Sequence, residues 1–249
     1  MEKVSFKNQS DLNLVGDLHT TNSDKIIILA HGFTNNRSSQ KRFDRLADSL
    51  IDNQFNVLKF DFSGCGESDP AIIELEQEVE DLKTAINYVK QKNYKKIALF
   101  GNSLGGLVCL KSYNKEIKTM VLTGPITDCM DYNWEDIYSK DKMNELKKHG
   151  YITLKSKQLG TRRVSKKMLD SFAEINQEKL LKNIECPVLI IHGDHGKEEK
   201  ELLKRSKKAV KLLNKNSKLE IIKGEKHGLR DNYDKVIKLT NKWFSNNFI

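Results

Sequence analysis

A strand, a sharp glycine-rich turn and a helix are predicted in direct succession over residues 96–111, and this stretch constrains the fold most. The apolar run at 97–100 stops at GNSLGG, residues 101–106, and a second apolar run follows at once. The turn has the pattern G-x-S-x-G, in which a serine on a strained strand-to-helix corner exposes its hydroxyl above the sheet. Ser103 is therefore a candidate nucleophile, although glycine-rich turns of this kind also bind phosphate or simply turn a corner.

Strands and helices alternate along most of the chain. Strands are predicted at 25–30, 56–62, 97–100, 119–123, 186–191 and 218–222, and the apolar runs at 25–30 and 97–100 are typical of strands buried on both faces. Helical spacing of apolar residues occurs between them, most clearly at 74–92. This alternation implies right-handed crossovers, so the predicted fold class is α/β with a mostly parallel sheet flanked by helices. Residues 3–19 predict an antiparallel hairpin before the first of these strands.

The alternation is interrupted between about 129 and 177. This segment is charged, and its stretches GYITLKS and TRRVS predict a small hairpin. It also contains four aromatic residues, Tyr132, Trp134, Tyr138 and Tyr151. An insertion over the strand ends would form a lid, whereas an ordinary peripheral helix pair is the alternative. We therefore expect a single domain over 1–249 with a lid insertion at about 129–177.

The composition excludes several classes of protein. With 249 residues, of which 38% are hydrophobic, the chain can form one α/β domain and does not resemble a disordered protein. Its net charge of +9 arises in residues 126–249. No nucleic-acid motif accompanies this charge, and Lys204, Lys207, Lys208 and Lys211 follow the spacing of a solvated helix face. No nucleic-acid partner is expected.

The sequence also bears on cellular location. No apolar run is long enough to cross a bilayer, and the N-terminal MEKVSFKNQS lacks the apolar stretch of a signal peptide. The four cysteines are widely spaced and form no C-x-x-C pair, which is typical of free thiols in a reducing compartment. We expect a cytoplasmic protein without a membrane partner, and the sequence does not define its oligomeric state.

A histidine that could activate Ser103 follows the last predicted strand. A serine hydroxyl is a weak nucleophile until a histidine accepts its proton, and that histidine needs an acid to orient it. His227 lies just before Gly228 and fits the role of base. The chain order serine, acid, histidine, each after a successive strand, is that of the α/β-hydrolases.

Five motifs extend this likeness over essentially the whole chain. They are HGF at 31–33, DFSGCGES at 61–68, GNSLGG at 101–106, CPVLIIHGD at 186–194 and GEKHG at 224–228. The sequence resembles the α/β-hydrolase superfamily, and in particular the small bacterial and archaeal serine hydrolases that include cinnamoyl or feruloyl esterases and the serine aminopeptidase-like group. The resemblance implies an α/β-hydrolase fold with a short lid, and an oxyanion hole formed by the backbone N–H groups of Phe33 and Leu104.

The acid is where the sequence departs from that family. The family aspartate usually stands three residues after the glycine of the H-G pair, a position that Gly196 occupies here. Asp194 is the predicted acid, because at a strand end it could reach His227 with little loop movement. Glu198 and Glu199 at the start of the next helix, and Asp128 after the preceding strand, are the alternatives.

The chain is thus predicted to be a serine hydrolase that cleaves small or medium carboxylic esters through an acyl-enzyme, with a small-molecule ester as its partner. A peptidase or thioesterase using the same site is one alternative, and a non-catalytic ligand-binding protein on a hydrolase scaffold is the other, because of Gly196. No cofactor is expected, since the turn at 64–66 lacks the spacing of a dinucleotide site. No metal is expected either, because His192, Asp194 and His195 lack an identifiable ligand from another segment.

Overall fold

The computed structural model describes residues 1–248, which form strands and helices in alternation. The strands are β1 (Glu2–Lys7), β2 (Asn13–His19), β3 (Lys25–Ala30), β4 (Asn56–Phe60), β5 (Ile72–Ile73), β6 (Lys96–Asn102), β7 (Ile117–Thr123), β8 (Tyr151–Ser156), β9 (Gly160–Ser165), β10 (Val188–Gly193) and β11 (Lys218–Ile222). The helices are α1 (Arg42–Asp52), α2 (Leu75–Gln91), α3 (Leu104–Lys111), α4 (Trp134–Ile137), α5 (Lys140–His149), α6 (Lys166–Ser171), α7 (Gln177–Leu181), α8 (Lys197–Leu212) and α9 (Tyr233–Asn247).

Eight strands form one sheet in the order β1-β2-β4-β3-β6-β7-β10-β11. The β1–β2 and β2–β4 pairs are antiparallel, and the other pairs are parallel, so both the predicted N-terminal hairpin and the mostly parallel sheet are confirmed. The chain order reverses at β3, which pairs with β4 on one side and β6 on the other. Ligands of open α/β sheets bind beyond the strand ends at such a reversal. The loops after β3 and β6 are therefore brought together by topology alone.

Both faces of this sheet are buried at its central strands. Along β3, Ile26 and Ile28 belong to an apolar core shared with α2, α3 and α8, whereas Ile27 and Leu29 belong to a second core shared with α1 and α9. Successive side chains of a strand point to opposite faces, so a strand covered on both sides must be apolar at every position. This is why β3 appears in the sequence as a continuous apolar run.

The segment predicted as an insertion forms α4, α5, the β8–β9 hairpin and α6. The pairing of β8 with β9 is antiparallel, as the sequence predicted. β9 also pairs in parallel with β5, a two-residue strand in the loop after β4. Two residues are too few to produce a recognisable period, so this attachment was not predicted. It anchors the insertion to a loop at the carboxyl end of the main sheet.

The surface of α8 carries the predicted lysines on its solvent side, where Lys204, Lys207, Lys208 and Lys211 are exposed. Cys65, Cys109 and Cys186 are buried free thiols, and Cys129 is an exposed one. Over residues 1–248, no helix combines the length and the apolar character that a membrane span requires.

Candidate active site

Ser103 lies on the corner between β6 and α3, with backbone angles of φ 55° and ψ −118°. Such a conformation is costly for a residue with a side chain and persists only where the surroundings enforce it. The glycines on either side supply that enforcement: a Cβ at Gly105 would lie 2.2 Å from the Ala30 carbonyl oxygen, and one at Gly101 would lie 2.6 Å from the Gly105 oxygen. The G-x-S-x-G pattern is therefore a packing requirement of this corner, which holds the serine side chain above the sheet.

His227, in the loop after β11, lies against Ser103, with 2.9 Å between its Nε2 and the Ser103 Oγ. Burial lowers the pKa of His227, but the hydrogen bond and charge of Glu199, with the charge of Glu198, outweigh it and raise the pKa above its usual value. Gly124, at the end of β7, makes room for the ring, since a Cβ there would lie 3.1 Å from the imidazole. The predicted serine–histidine pair is thus brought together.

The carboxylate beside His227 belongs to Glu199, whose Oε2 lies 2.8 Å from His227 Nδ1. Glu199 is 1% exposed, and its Oε1 accepts a hydrogen bond from the Gly193 N–H at 2.7 Å. Burial raises the pKa of Glu199, but hydrogen bonds from His192 and His227 outweigh this effect and lower the pKa to about 2. The group is therefore an anion. An anionic acceptor requires the proton of His227 on Nδ1, so Nε2 can accept from the Ser103 hydroxyl.

The prediction that Asp194 holds this position is wrong. Its Oδ1 accepts a hydrogen bond from the Gly224 N–H at 2.7 Å, so Asp194 joins the ends of β10 and β11, whereas the hydrogen-bond partners of the His227 ring are Glu199 and Ser103. The reason lies at Gly196, which has a φ of +88° and immediately precedes α8. The chain uses the family's aspartate position to begin a helix, and the longer glutamate side chain reaches back from the first turn of that helix.

The other two alternatives are also occupied elsewhere. The Glu198 Oε1 accepts a hydrogen bond from the Tyr132 hydroxyl at 3.1 Å, and the Asp128 Oδ1 accepts from the Cys129 N–H at 2.9 Å. Sequence reasoning had named Glu199 without a means to choose it. The first turn of a helix, where the helix dipole stabilises an anion, does not single out Glu199, because Glu198 lies in the same turn.

The loop after β3 brings Phe33 to the same corner. A Cβ on Gly32 would lie 3.4 Å from the Ser103 Cβ, which shows how closely the two loops approach. His31 is fully buried and fixes this loop: its Nδ1 donates to the Gly32 carbonyl at 2.9 Å, and its Nε2 accepts from the Phe62 N–H at 3.2 Å. Burial lowers the pKa of His31, which agrees with this neutral, structural role.

The backbone N–H groups of Phe33 and Leu104 are the predicted oxyanion donors. Leu104 is the first residue of α3, where the N–H has no partner within the helix. Across residues 1–248, neither N–H donates a hydrogen bond to a protein acceptor. A free N–H is the condition that an oxyanion donor must meet before substrate binds.

Aromatic side chains of the inserted segment pack on Phe33. Phe172 meets it edge-on, with ring centroids 5.9 Å apart, and Tyr132 and Trp134 contact Phe172 at 5.4 and 5.6 Å. Trp134 in turn stacks on Tyr138 at 5.9 Å, whereas Tyr151 is paired with His149. The insertion thus places an aromatic cluster, formed by Tyr132, Trp134, Tyr138 and Phe172, against the loop that carries a predicted oxyanion donor.

A hydrogen bond that was not predicted also connects the insertion to the loop after β3. Arg162, on β9, is 5% exposed, and its Nη1 donates a hydrogen bond to the Thr34 carbonyl oxygen. Thr34 follows Phe33 directly, so the guanidinium restrains the backbone beside the predicted oxyanion donor. Burial lowers the pKa of Arg162. The sequence signal was only an alternation in TRRVS, which places Arg162 and its exposed neighbour Arg163 on opposite faces.

The histidine cluster at 192–195 does not converge on one point. His192 is fully buried and faces Glu199 and Ser206, whereas His195 is exposed. Among residues 1–248, no group of three or more His, Cys, Asp or Glu side chains is arranged as a metal site. Cys65 is buried, and burial raises the pKa of its thiol well above the usual value, so it is not a reactive thiolate.

Solved structures with the same fold are α/β-hydrolases and esterases. Est1E from Butyrivibrio proteoclasticus, solved with ferulic acid, superposes with a TM-score of 0.76 at 20% identity and covers 98% of this chain and 99% of its own. The α/β-hydrolase GrgF from Penicillium sp. sh18 gives 0.79 at 18% identity, covering 98% and 96%. At these identities the likeness establishes the fold, and the fold class is that of the α/β-hydrolases.

The family is defined more narrowly by sequence. Residues 21–179, more than half of the chain, match the family described as serine aminopeptidase, S33, and the chain belongs to that hydrolase family. The human serine hydrolase BPHL is 26% identical over 190 residues, which span 70% of this chain and 64% of that relative's length.

Proposed function

We propose that this protein is a serine hydrolase that cleaves small or medium carboxylic esters through an acyl-enzyme. The observation that carries the proposal is the continuous contact from the Ser103 Oγ to His227 Nε2, at 2.9 Å, and from His227 Nδ1 to the Glu199 Oε2, at 2.8 Å. Nucleophile, base and orienting acid in mutual hydrogen-bonding contact are the arrangement that acyl transfer by serine requires. Glu199 takes the role that the sequence had given to Asp194.

In the first half of the reaction, Ser103 Oγ attacks the ester carbonyl carbon while His227 Nε2 takes the hydroxyl proton. The carbonyl oxygen becomes an oxyanion, which accepts hydrogen bonds from the Phe33 and Leu104 amides, each contributing about 3 kcal/mol. The tetrahedral intermediate then expels the alcohol, which leaves with the proton from His227. Glu199 stabilises the imidazolium at each stage without accepting its proton.

In the second half, water attacks the acyl carbon of the ester on Ser103. His227 Nε2 takes a proton from this water and returns it to Ser103 Oγ as the carboxylic acid leaves. His227 therefore acts first as base and then as acid in each half of the reaction, which is why a single histidine suffices.

The acyl group is proposed to be small or medium, and an aromatic acyl group suits the surroundings. Phe33, whose amide serves the oxyanion, packs against Phe172 of the aromatic cluster at 5.9 Å, so aromatic surface lies next to the proposed acyl site. Est1E has been solved with ferulic acid, an aromatic acid, and has this fold. Aromatic walls favour flat acyl groups through offset or edge-on packing.

The alternative of a non-catalytic binding protein rested on the missing aspartate at Gly196. Because Glu199 lies in the acid's place, that reason no longer favours it. A peptidase or thioesterase would use the same residues, and the name of the matched family keeps amide cleavage open to test. The acyl donors compared below separate these chemistries.

The test is stopped-flow hydrolysis of p-nitrophenyl acetate at about pH 8 by the wild-type protein, Ser103→Ala and His227→Ala, with the exposed-site variant Ser245→Ala as control. We expect a p-nitrophenolate burst and turnover that fall by about 10⁴-fold or more in the first two variants and persist in the control. A fluorophosphonate should label Ser103. Equal rates for wild type and Ser103→Ala, with no labelling, would overturn the proposal. An aminoacyl p-nitroanilide or acyl thioester hydrolysed faster than esters would reassign the substrate class.

A further inference from the structure

The hydrogen-bonded chain that begins at Ser103 continues past Glu199 into the protein. His192 Nδ1 lies 2.8 Å from the Glu199 Oε1, and His192 Nε2 lies 2.8 Å from the Ser206 Oγ. His192 is the penultimate residue of β10, Ser206 lies on α8, and both side chains are fully buried. No step of the reaction proposed above uses either residue.

The protonation of Glu199 determines the direction of these hydrogen bonds. An ionised carboxylate only accepts, so the nitrogen of His192 that faces it, Nδ1, must carry a proton. In the neutral ring Nε2 then presents a lone pair, and the Ser206 hydroxyl donates to it. Each polar side-chain atom of this buried chain then has at least one partner of the right kind, which is the condition under which such a network holds a single geometry.

Glu199 needs such a restraint because of where it lies. It reaches the end of the sheet from the first turn of a helix through a side chain with three rotatable bonds, and the conformation of those bonds sets where Oε2 lies. Two donors hold the other oxygen, Oε1: the Gly193 N–H at 2.7 Å and His192 Nδ1 at 2.8 Å. The first is part of the strand backbone, so His192 is the side chain that restrains the acid.

We propose that His192 is a positioning residue of the active site: it holds the Glu199 Oε1 so that Oε2 stays on His227 Nδ1, and Ser206 fixes the plane of the His192 ring. This inference rests on the proposed function, because it assigns a role within the same site. It differs from the role of a core histidine that merely satisfies its own hydrogen bonds, since removal of His192 acts on the reaction through Glu199.

The test compares two amide replacements of similar size. In His192→Asn the amide nitrogen replaces Nδ1 and can still donate to Glu199, whereas in His192→Gln it reaches the Nε2 position and faces Ser206. We expect kcat for p-nitrophenyl acetate to fall by less than about 3-fold in His192→Asn and by about 10- to 100-fold in His192→Gln, with KM nearly unchanged, because misplacement by about 1 Å is sufficient for such a loss. His192→Leu, which has no donor, should behave like His192→Gln.

A double-mutant cycle shows whether His192 acts through Glu199. If it does, His192→Gln should reduce the rate at which a fluorophosphonate labels Ser103 in the wild-type background, but by less than about 2-fold in the Glu199→Gln background. Equal losses in both backgrounds, or equal losses in His192→Asn and His192→Gln, would overturn the proposal and leave His192 as a core residue.

A spectroscopic measurement separates this inference from the proposed function. In protein labelled with ¹⁵N-histidine, the His227 Nδ1 proton that is bonded to Glu199 should give a downfield resonance in the wild type and His192→Asn, and lose or shift it in His192→Gln. If the wild type neither hydrolyses acyl donors nor labels at Ser103, the proposed function fails, while this resonance still decides whether His192 positions Glu199. A resonance unchanged in His192→Gln would overturn the inference.

Discussion

The Glu199 Oε2 lies 2.8 Å from His227 Nδ1, and it reaches there from the first turn of α8 rather than from the loop after β10. A carboxylate on a helix is held by the regular backbone of that helix and by the hydrogen bonds to its other oxygen. The position of the Glu199 carboxylate is therefore set by helix α8 together with the hydrogen bonds from Gly193 and His192 of strand β10.

Replacement of Glu199 by Gln should reduce kcat by about 10³- to 10⁴-fold, because the amide keeps the size of the side chain but no longer stabilises the imidazolium or its tautomer. The measurement is steady-state hydrolysis of p-nitrophenyl acetate. Asp194→Asn is the matched control, since Asp194 bonds only to the Gly224 N–H in this region. We expect it to keep kcat within about 3-fold, and a larger loss in Asp194→Asn than in Glu199→Gln would restore Asp194 as the acid.

The pH dependence of kcat/KM should follow the ionisation of His227. The base must be neutral to accept the serine proton, and the pKa of His227 is raised above 6.5 because Glu199, and to a lesser extent Glu198, outweigh burial and the nearby Arg42. Activity should therefore rise with pH through a value above 6.5. Glu199→Gln removes the main stabilising charge and should move this limb to lower pH, and Glu198→Gln should move it less. A limb that stays in place in Glu199→Gln would contradict the assignment.

Arg162 provides a test of the contact between the insertion and the loop after β3, which carries Phe33, a predicted oxyanion donor. Its guanidinium donates to the Thr34 carbonyl from a nearly buried position, so Arg162→Met should release the backbone beside Phe33 and lower kcat by about 10-fold. Arg163→Met is the matched control, because the neighbouring side chain is exposed. The comparison requires kcat for both variants and their unfolding midpoints. Equal kcat values for Arg162→Met and Arg163→Met would show that the hydrogen bond from Arg162 to Thr34 does not affect the reaction.

Glu78 offers a prediction about stability alone. It is 1% exposed, neither carboxylate oxygen has a partner within residues 1–248, and burial raises its pKa well above 4.5. The unfolded chain therefore releases the proton more readily than the folded protein does, so stability is lost as the pH rises above 4.5. Glu78→Met should raise the free energy of unfolding by about 1–3 kcal/mol at pH 8 and by less at pH 5. Urea denaturation at both pH values measures this, and a gain independent of pH would contradict it.

Much of the fold could be predicted from the sequence because it depends on local periodicity. The mainly apolar stretches of the sequence predicted β3, β4, β6, β7, β10 and β11. The parallel pairing of these strands follows from the helices that lie between them along the chain. The attachment of β9 to β5 was missed, since two residues carry no period. Ser103 was found because it stands between glycines that the close packing of its corner requires, as Gly105 shows directly, and His227 was found because it follows the last strand of the sheet.

The sequence by itself determined the sheet, the corner that presents Ser103, and the histidine that meets it, because apolar alternation and glycine spacing express requirements of the backbone. Only the tertiary structure decided which carboxylate reaches His227, because the sequence offers four of them, Asp194, Glu198, Glu199 and Asp128, without the direction in which each side chain points. It also decided that His192 lies against Glu199 and that Arg162 donates to the Thr34 carbonyl. Those contacts join residues on separate elements, and their geometry depends on how helix α8 and the inserted segment pack against the sheet.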